Sequence, residues 1–273
     1  MRRSVFFISD RTGITAEKLS QTLLSQFEQI EFDRINLPFI DTEDKAKQAV
    51  KQINQTATKD GNSPLLFCTL VDDNIRKIIN NSEGVSYDFF GTFIKPLEKE
   101  LGVSSNHVIG RSHGQGQEDV YKTRIDAVNF ALHYDDGRKI TNLENTDIIL
   151  VGVSRSGKTP TCLYMAMHYG LMAANYPMLE EDLRSPDLPH ILQPHREKLF
   201  GLTINPQRLQ QIRSERRPNS DYASLKQCQF EVRSLEHLFD EQKIPYIDTS
   251  AMSIEEICTS IMQRKNLKRQ LEK

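Results

Sequence analysis

The chain has 273 residues and a formal net charge of −2 at pH 7, which suits one large or two medium globular domains. Near-neutral charge argues against a general nucleic-acid binder, because such proteins usually carry a basic excess. No apolar run approaches the roughly 18 to 20 residues that cross a membrane, and the first apolar run is too short for a signal peptide. We therefore expect a cytoplasmic protein with neither a nucleic-acid partner nor a membrane partner.

The first half of the chain alternates between strand-like and helix-like segments, an order that predicts a parallel α/β layer. Strands are expected at 4–8, 32–40 and 64–71, and helices at 14–27, 42–57, 73–81 and 89–101. The segment PLLFCTLV at 64–71 is continuously apolar, as in a strand that is covered on both faces. Residues 102–118 contain four glycines and little apolar sequence, which is typical of a functional or mobile loop.

The second half continues the alternation after a helix expected at 119–134 and a polar segment at 138–146. Further strands are expected at 147–151, 172–175, 198–204 and 244–247, and helices at 159–169, 206–216, 222–239 and from 253 onward. Residues 176–193 look irregular, and Ser253 and Glu256 have the spacing of a helix capping box. No internal repeat is visible in the sequence.

The segment GVSRSGKT matches the pattern G-x-x-x-x-G-K-[ST], which wraps phosphate groups in many nucleotide enzymes. It follows an apolar strand-like run, DIILV, and precedes a helix-like run, which is the context that a phosphate loop needs. The backbone N–H groups of such a loop and the positive end of the helix dipole bind phosphate oxygens. The expected nucleotide-binding residues are Gly152, Val153, Ser154, Arg155, Ser156, Gly157, Lys158 and Thr159.

Two side chains of this loop would carry the chemistry. Lys158 would neutralise the transferring phosphoryl group, and we expect it to face solvent before a ligand arrives. Thr159 would bind Mg²⁺ through its hydroxyl. Because the loop begins beyond the middle of the chain, we predict an α/β protein of two parts. These are an N-terminal parallel α/β domain at 1–140 and a C-terminal P-loop nucleotide-binding α/β domain at 141–273.

A phosphoryl-transfer site also needs acidic side chains, which organise Mg²⁺ and accept a proton. Asp248 follows a short apolar strand in PYIDTS, although it could equally serve only to begin the last helix. Asp72 follows the strand at 64–71, but it lies in the first half of the chain. Asp10 lies at the tip of FFISDRTGITAE, which is either a ligand-lining loop at the carboxyl end of a strand or an ordinary turn.

Three arginines lie close together in IRSERRP: Arg213, Arg216 and Arg217. They could form a solvated helix end, or a guanidinium clamp for phosphate or for an acidic partner. The cysteines and histidines show no metal-ligand spacing. The pattern H-R-D-x-x-x-x-N is absent, which excludes the common protein-kinase design.

The chain resembles the bifunctional kinase/pyrophosphorylase regulatory proteins that control phosphoenolpyruvate-forming dikinases, and it is most similar to the phosphoenolpyruvate synthase branch. The resemblance runs nearly end to end, through FFISDRTGITAE, RIDAVNFALHYDDG, DIILVGVSRSGKTPT, GLMAANYPMLEEDL, KLFGLTINPQRL, IRSERRPNSDYASLKQC and PYIDTSAMSIEEI. Arg155 and Pro160 make the loop distinctive, because the generic phosphate-loop pattern does not require them.

The resemblance implies that the protein phosphorylates a threonine of phosphoenolpyruvate synthase with ADP as the donor, and so inactivates that enzyme. It also implies the reverse reaction, in which inorganic phosphate removes the phosphoryl group and pyrophosphate is released. Both reactions transfer a phosphoryl group to or from a threonine oxygen, so one electrostatic cradle can serve both. Asp10 and Asp248 are the candidates for the base that accepts the threonine proton. The resemblance also suggests a homodimer, although no heptad or repeat in the chain argues for one.

Two other functions fit the phosphate loop when the resemblance is set aside. A small-molecule kinase would use the same loop and would transfer label from ADP to a metabolite rather than to a protein. A nucleotide-sensing binding module would bind ADP or ATP and form no covalent product.

Overall fold

The computed structural model describes residues 2–106, 117–135 and 143–271. The chain forms two compact units, Met1–Gly114 and Gln115–Lys273. Each unit holds a parallel sheet of four strands, which confirms the predicted α/β class. No helix in the described parts of the chain is both long and apolar enough to cross a membrane.

The first unit alternates strands and helices as the sequence predicts. Its strands are β1 (Arg2–Ser9), β2 (Glu31–Leu37), β3 (Leu65–Thr69) and β4 (Val85–Asp88), and its helices are α1 (Ile14–Leu24), α2 (Glu43–Asp60), α3 (Asp73–Asn80) and α4 (Phe89–Leu101). The strand order is β2-β1-β3-β4. Strand β4 was missed, because its four residues, VSYD, alternate between exposed and half-buried positions and contain no apolar run.

The second unit repeats this arrangement with more helices. Its strands are β5 (Ile148–Gly152), β6 (Ala173–Pro177), β7 (Leu199–Thr203) and β8 (Tyr246–Asp248), in the order β6-β5-β7-β8. Its helices are α5 (Gln117–His133), α6 (Lys158–Tyr169), α7 (Glu180–Leu183), α8 (Pro206–Arg216), α9 (Leu225–Glu241) and α10 (Ile254–Arg264). The short helix α7 lies in the segment that was expected to be irregular.

Both faces of the second sheet are covered, as the continuous apolar strands predict. Successive side chains of a strand point to opposite faces. Ile149 and Val151 accordingly lie in one core with residues of α9, whereas Ile148 and Leu150 lie in another core with residues of α5, α6 and α10. Every residue of β5 is buried. A strand covered in this way is a rigid base for the loop that follows it.

Side chains cap two of these helices, and the cap at Ser253 is the one that the sequence predicts. The Thr42 side chain accepts a hydrogen bond from the backbone N–H of Lys45 and begins α2. Ser253 and Glu256 form a reciprocal capping box, in which the Ser253 N–H donates to Glu256 Oε2 at 2.7 Å. Most of the loop predicted at 102–118 lies outside the described residues.

Helix α5 belongs to the second unit, although the sequence analysis placed it before the domain boundary. Ala127 and Ala131 of α5 are buried in the same core as Met165 and Ala166 of α6. The predicted boundary after residue 140 divides the chain into two parts that should each fold alone. Packing contacts do not test independent folding, so this boundary stays a prediction.

Fragments that begin on either side of α5 would locate the boundary. We expect a fragment of residues 115–273 to unfold cooperatively, and a fragment of 141–273 to be less stable by about 2 kcal/mol or more, because each methylene group left uncovered costs about 0.8 kcal/mol. Thermal unfolding followed by circular dichroism measures the difference. Equal stability of the two fragments would show that α5 contributes nothing to the second unit.

Candidate functional site

The loop between β5 and α6 opens onto a cavity of about 530 Å³, a size within the range of small-molecule sites. The residues that line it are Asp135, Ser154, Arg155, Gly157, Lys158, Thr159, Pro160, Asn175, Ile212 and Arg216. Five of the eight predicted nucleotide-binding residues are among them. The other three, Gly152, Val153 and Ser156, are buried and do not line the cavity. The structure therefore brings the predicted loop together around one space.

The loop leaves β5 through a point where no side chain fits. A Cβ atom on Gly152 would lie 2.5 Å from the carbonyl oxygen of Leu202 and 2.7 Å from Ser156 Oγ. Gly157 begins α6 with a left-handed φ of 91°, which glycine adopts without strain. Arg155 is also left-handed, with a φ of 76°, a conformation that costs a non-glycine residue about 1–2 kcal/mol. These constraints curl the backbone toward the cavity.

The prediction that Lys158 faces solvent is wrong. Its side chain lines the cavity but only 4% of the residue is exposed, and Nζ donates a hydrogen bond of 2.8 Å to the carbonyl oxygen of Val153. The ammonium group folds back over the loop because that carbonyl oxygen is an available acceptor. A phosphate in the cavity would compete with the Val153 carbonyl for the same ammonium group.

Thr159 belongs to a hydrogen-bonded group of three side chains that no sequence pattern predicts. Thr159 Oγ1 donates to Asp135 Oδ1 at 2.7 Å. Asn175 Nδ2 donates to Asp135 Oδ1 at 2.7 Å and to Thr159 Oγ1 at 3.0 Å. Asp135 follows the end of α5, and Asn175 lies on β6 beside Leu150 of β5. A polar residue inside the strand AANYP is a local signal for Asn175, but its partners come from distant parts of the chain.

Asp248 lies away from the loop. It ends β8, which is separated from β5 by β7, and it does not line the cavity. Its carboxylate accepts hydrogen bonds from the backbone N–H of Ser250, at 2.8 Å, and from the Ser250 hydroxyl. Ser250 Oγ in turn accepts from the N–H of Asn205, at the start of α8. These contacts give Asp248 a role in joining two turns, and its predicted catalytic role gains no support from them.

The two acids predicted in the first unit are both held by backbone groups. Asp10 follows β1, is 5% exposed and accepts a hydrogen bond of 3.1 Å from the N–H of Val71. Burial raises the pKa of Asp10, and the Val71 N–H offsets part of this effect. Asp72 accepts from the N–H groups of Asn74 and Ile75 and caps α3. Capping explains Asp72 fully, whereas a buried carboxyl with a raised pKa is more typical of a functional residue.

The structure assigns different environments to the three clustered arginines. Arg213 is completely buried, Arg216 is exposed and lines the cavity, and Arg217 is exposed. The predicted solvated helix end is wrong for Arg213, which also does not line the cavity, and it fits the exposed Arg217. The phosphate clamp stays a prediction for Arg216.

Arg213 is a buried residue that is hydrogen-bonded to the backbone of the loop. Its guanidinium pairs with Glu231, with Nη2 lying 2.6 Å from Oε2. It also donates to the carbonyl oxygens of Ser154, at 3.1 Å, and of Tyr222, at 3.0 Å, and it lies over the Tyr222 ring at 4.1 Å. Tyr222 Oη and Ser154 Oγ are 2.9 Å apart. Two hydrogen bonds thus fix Ser154, a residue of the predicted phosphate loop, to α8 and to the turn before α9.

Replacing Arg213 would test this support. We expect Arg213→Met to lower the free energy of unfolding by about 3–5 kcal/mol, because it leaves Glu231 without its buried partner. Arg217→Met is the matched control and should change stability by less than about 0.5 kcal/mol. Urea unfolding measures the stability of both variants. Equal stability of the two variants would contradict the assigned role.

Replacing Asp10 would show whether its buried carboxylate lowers the stability of the fold. The pKa of Asp10 is higher in the folded protein than in the unfolded chain, so ionisation destabilises the fold as pH rises above the unfolded value of about 3.9. We expect Asp10→Asn to be more stable than wild type at pH 7, with the gain shrinking as pH falls toward that value. Urea unfolding at several pH values measures it. A less stable variant at pH 7 would show that the carboxylate is needed for folding.

Known proteins resemble this chain over nearly its whole length. The family model described as kinase/pyrophosphorylase matches residues 5–262. A protein of Marinobacter nauticus is 53% identical over 269 residues, which cover 98% of this chain and 99% of that protein. A protein of Alkalilimnicola ehrlichii is 53% identical over 270 residues, with 99% and 98% covered. One of Hahella chejuensis is 51% identical over 271 residues, with 99% and 100% covered.

All three relatives bear the name "Putative phosphoenolpyruvate synthase regulatory protein". The matches confirm the resemblance that the loop and its flanking segments indicate. Because the family model and the relatives both extend across the two units, the chain belongs to the kinase/pyrophosphorylase family.

Proposed function

We propose that this protein is a bifunctional phosphotransferase that regulates phosphoenolpyruvate synthase. In one direction it transfers a phosphoryl group from ADP to a threonine of that enzyme and inactivates it. In the other, inorganic phosphate takes the group back, pyrophosphate is released and the enzyme becomes active again. The proposal is supported by a lysine-containing phosphate loop that lines a cavity, in a chain whose relatives are named as regulators of that synthase.

The geometry of the cavity suits a transferring phosphoryl group. The loop and the first turn of α6 line the cavity, and Lys158 and Arg216 bring positive charge to the same space. The free N–H groups at a helix start favour phosphate oxygens. Negative charge on the equatorial phosphate oxygens is the main feature that such a site must stabilise. With ADP as the donor the β-phosphate is transferred, so the adenosine must lie nearer the loop than it would in an ATP-dependent enzyme.

We expect Mg²⁺ to bind together with the nucleotide and to neutralise negative charge on its phosphates. The side chains around Thr159 fit such an ion, because they offer hydroxyl, carboxylate and amide oxygens, which a hard cation prefers. The base that accepts the threonine proton is not defined by the cavity. Asp10 and Asp248 stay candidates from the sequence, and Asp248 does not line the space around the loop.

Removing the Lys158 charge tests whether one site serves both directions. We expect Lys158→Met to slow both reactions by roughly 100-fold or more, because both transition states place charge on the same oxygens and one preorganised charge contributes about 3 kcal/mol. Thr159→Val should act similarly through lost cation binding. The exposed Lys226→Met, on α9, is the control and should keep the wild-type rate.

The measurement starts from unmodified synthase with ADP and from phosphorylated synthase with phosphate. Mass spectrometry follows the phosphothreonine in both, and pyrophosphate release is measured in the second. A variant that loses only the first reaction would show two separate sites. Label that passes from ADP to a metabolite would support a small-molecule kinase, and ADP binding without any covalent product would support a nucleotide sensor.

A further inference from the structure

One wall of the cavity carries three oxygen-bearing side chains from three separate elements. Thr159 comes from the first turn of α6, Asp135 from the end of α5 and Asn175 from the middle of β6. The backbone also joins two of these elements, because the N–H of Asn175 donates to the carbonyl oxygen of Tyr134 at 3.2 Å. The position of Asp135 relative to Asn175 is therefore fixed by main-chain as well as side-chain contacts.

The hydrogen bonds orient the Thr159 hydroxyl. Its one proton is donated to Asp135 Oδ1, and one of its lone pairs accepts from Asn175 Nδ2. A hydroxyl oxygen can accept a second time, so one lone pair stays available for a ligand. Asn175 Nδ2 also bonds to Asp135 Oδ1, so the three side chains hold one another in a single arrangement.

Asn175 itself provides the observation that points to a ligand. The residue is 2% exposed and lines the cavity, and its Oδ1 atom is buried without a hydrogen-bond partner among the described residues. Leaving a buried acceptor unsatisfied costs about 1–3 kcal/mol. A bound ligand that accepts electron pairs would satisfy it, and an anion would be repelled by the neighbouring Asp135.

We propose that Asp135, Asn175 and Thr159 form a divalent-cation site on this wall, and that Asp135 is the acid which the sequence analysis sought at Asp248. Oxygen donors of this kind select Mg²⁺ or Mn²⁺ over softer metals. Among the described residues, no three His, Cys, Asp or Glu side chains are grouped to hold a metal, so the site needs phosphate oxygens of a nucleoside diphosphate to be complete. The choice of a nucleoside diphosphate as the source of these oxygens rests on the proposed function.

The fold explains why this acid precedes the loop in sequence. Helix α5 packs against α6, and its carboxyl end lies at the amino end of α6, where Thr159 is located. The negative end of the α5 dipole adds to the charge of Asp135 and favours a cation there. An acid at the end of a later strand is therefore not required for this wall of the site.

Binding of Mn²⁺ to the full-length protein, measured by electron paramagnetic resonance with ADP present, tests the assignment. We expect Asp135→Asn to weaken Mn²⁺ binding at least roughly 10- to 100-fold, because it removes the one carboxylate of the site and that loss is already usual for a residue that only orients a metal ligand. Asp248→Asn is the matched control and should keep the wild-type affinity for Mn²⁺. The opposite result, with Asp248→Asn weakened and Asp135→Asn unchanged, would overturn the proposal.

A second variant distinguishes a cation site from a purely structural cluster. Asn175→Asp places a carboxylate at the unpaired oxygen, next to Asp135, so the two like charges should destabilise the metal-free protein. If a cation binds there, Mn²⁺ with ADP should raise the unfolding temperature of this variant more than that of wild type. An equal or smaller rise would count against the site.

Failure of the proposed function would look different. Calorimetric titration with ADP in the presence of EDTA reports the phosphate loop alone, and Asp135→Asn should retain this binding. A wild-type protein that does not modify the synthase, yet binds Mn²⁺ with ADP through Asp135, would remove the proposed function and leave the cation site standing.

Discussion

The pairing of β5 with a parallel strand on each side is the constraint on which the site depends. Gly152 lies beside Pro177 of β6 and Leu202 of β7, and the close approach of the Leu202 carbonyl oxygen leaves no space for a side chain. The chain can leave the sheet there only as a tight loop. The same register places Asn175 of β6 beside Leu150 of β5, close enough for its amide to reach the first turn of α6. The loop is thus positioned by the sheet, at the point where successive connections diverge to opposite sides, as in other open α/β sheets.

The buried ion pair of Arg213 and Glu231, next to the loop, orients the loop rather than stabilising the core. The Arg213 guanidinium is wholly buried and the Glu231 side chain is 12% exposed. A buried ion pair adds little net stability compared with apolar residues of the same size, because both charges lose their hydration. The pair does fix the position of the loop, because the guanidinium also donates to the Ser154 carbonyl oxygen and lies against the Tyr222 ring. We infer that the pair holds the loop in one conformation before a phosphate is bound, which reduces the ordering cost of binding.

Sequence patterns predicted the parts of the site that depend on neighbouring residues. The strand before the loop, the helix after it and the glycines between them are all local features, and the structure contains them. The contacts of Asp135, Asn175 and Arg213 come from segments that are far apart in the chain, and no periodic pattern records such contacts. The burial of Lys158 was missed for a related reason, because it depends on the Val153 carbonyl being turned toward the side chain. Strand β4 was missed since an edge strand of four residues carries too few apolar positions to be recognised.

The corresponding βα turn of the first unit differs from the loop for which we propose phosphate binding. Both units have the same strand order, and both central strands lead to a helix that begins at a left-handed glycine, Gly13 or Gly157. The residue after that glycine is Lys158 in the second unit but Ile14 in the first, where it is 55% exposed. The βα turn of the first unit also contains the buried carboxyl of Asp10, whose negative charge would repel a phosphate. The shared topology therefore provides a turn at the end of a central strand in each unit. Lys158, and the lack of a buried acid within residues 152–159, support our proposal that the turn of the second unit binds phosphate.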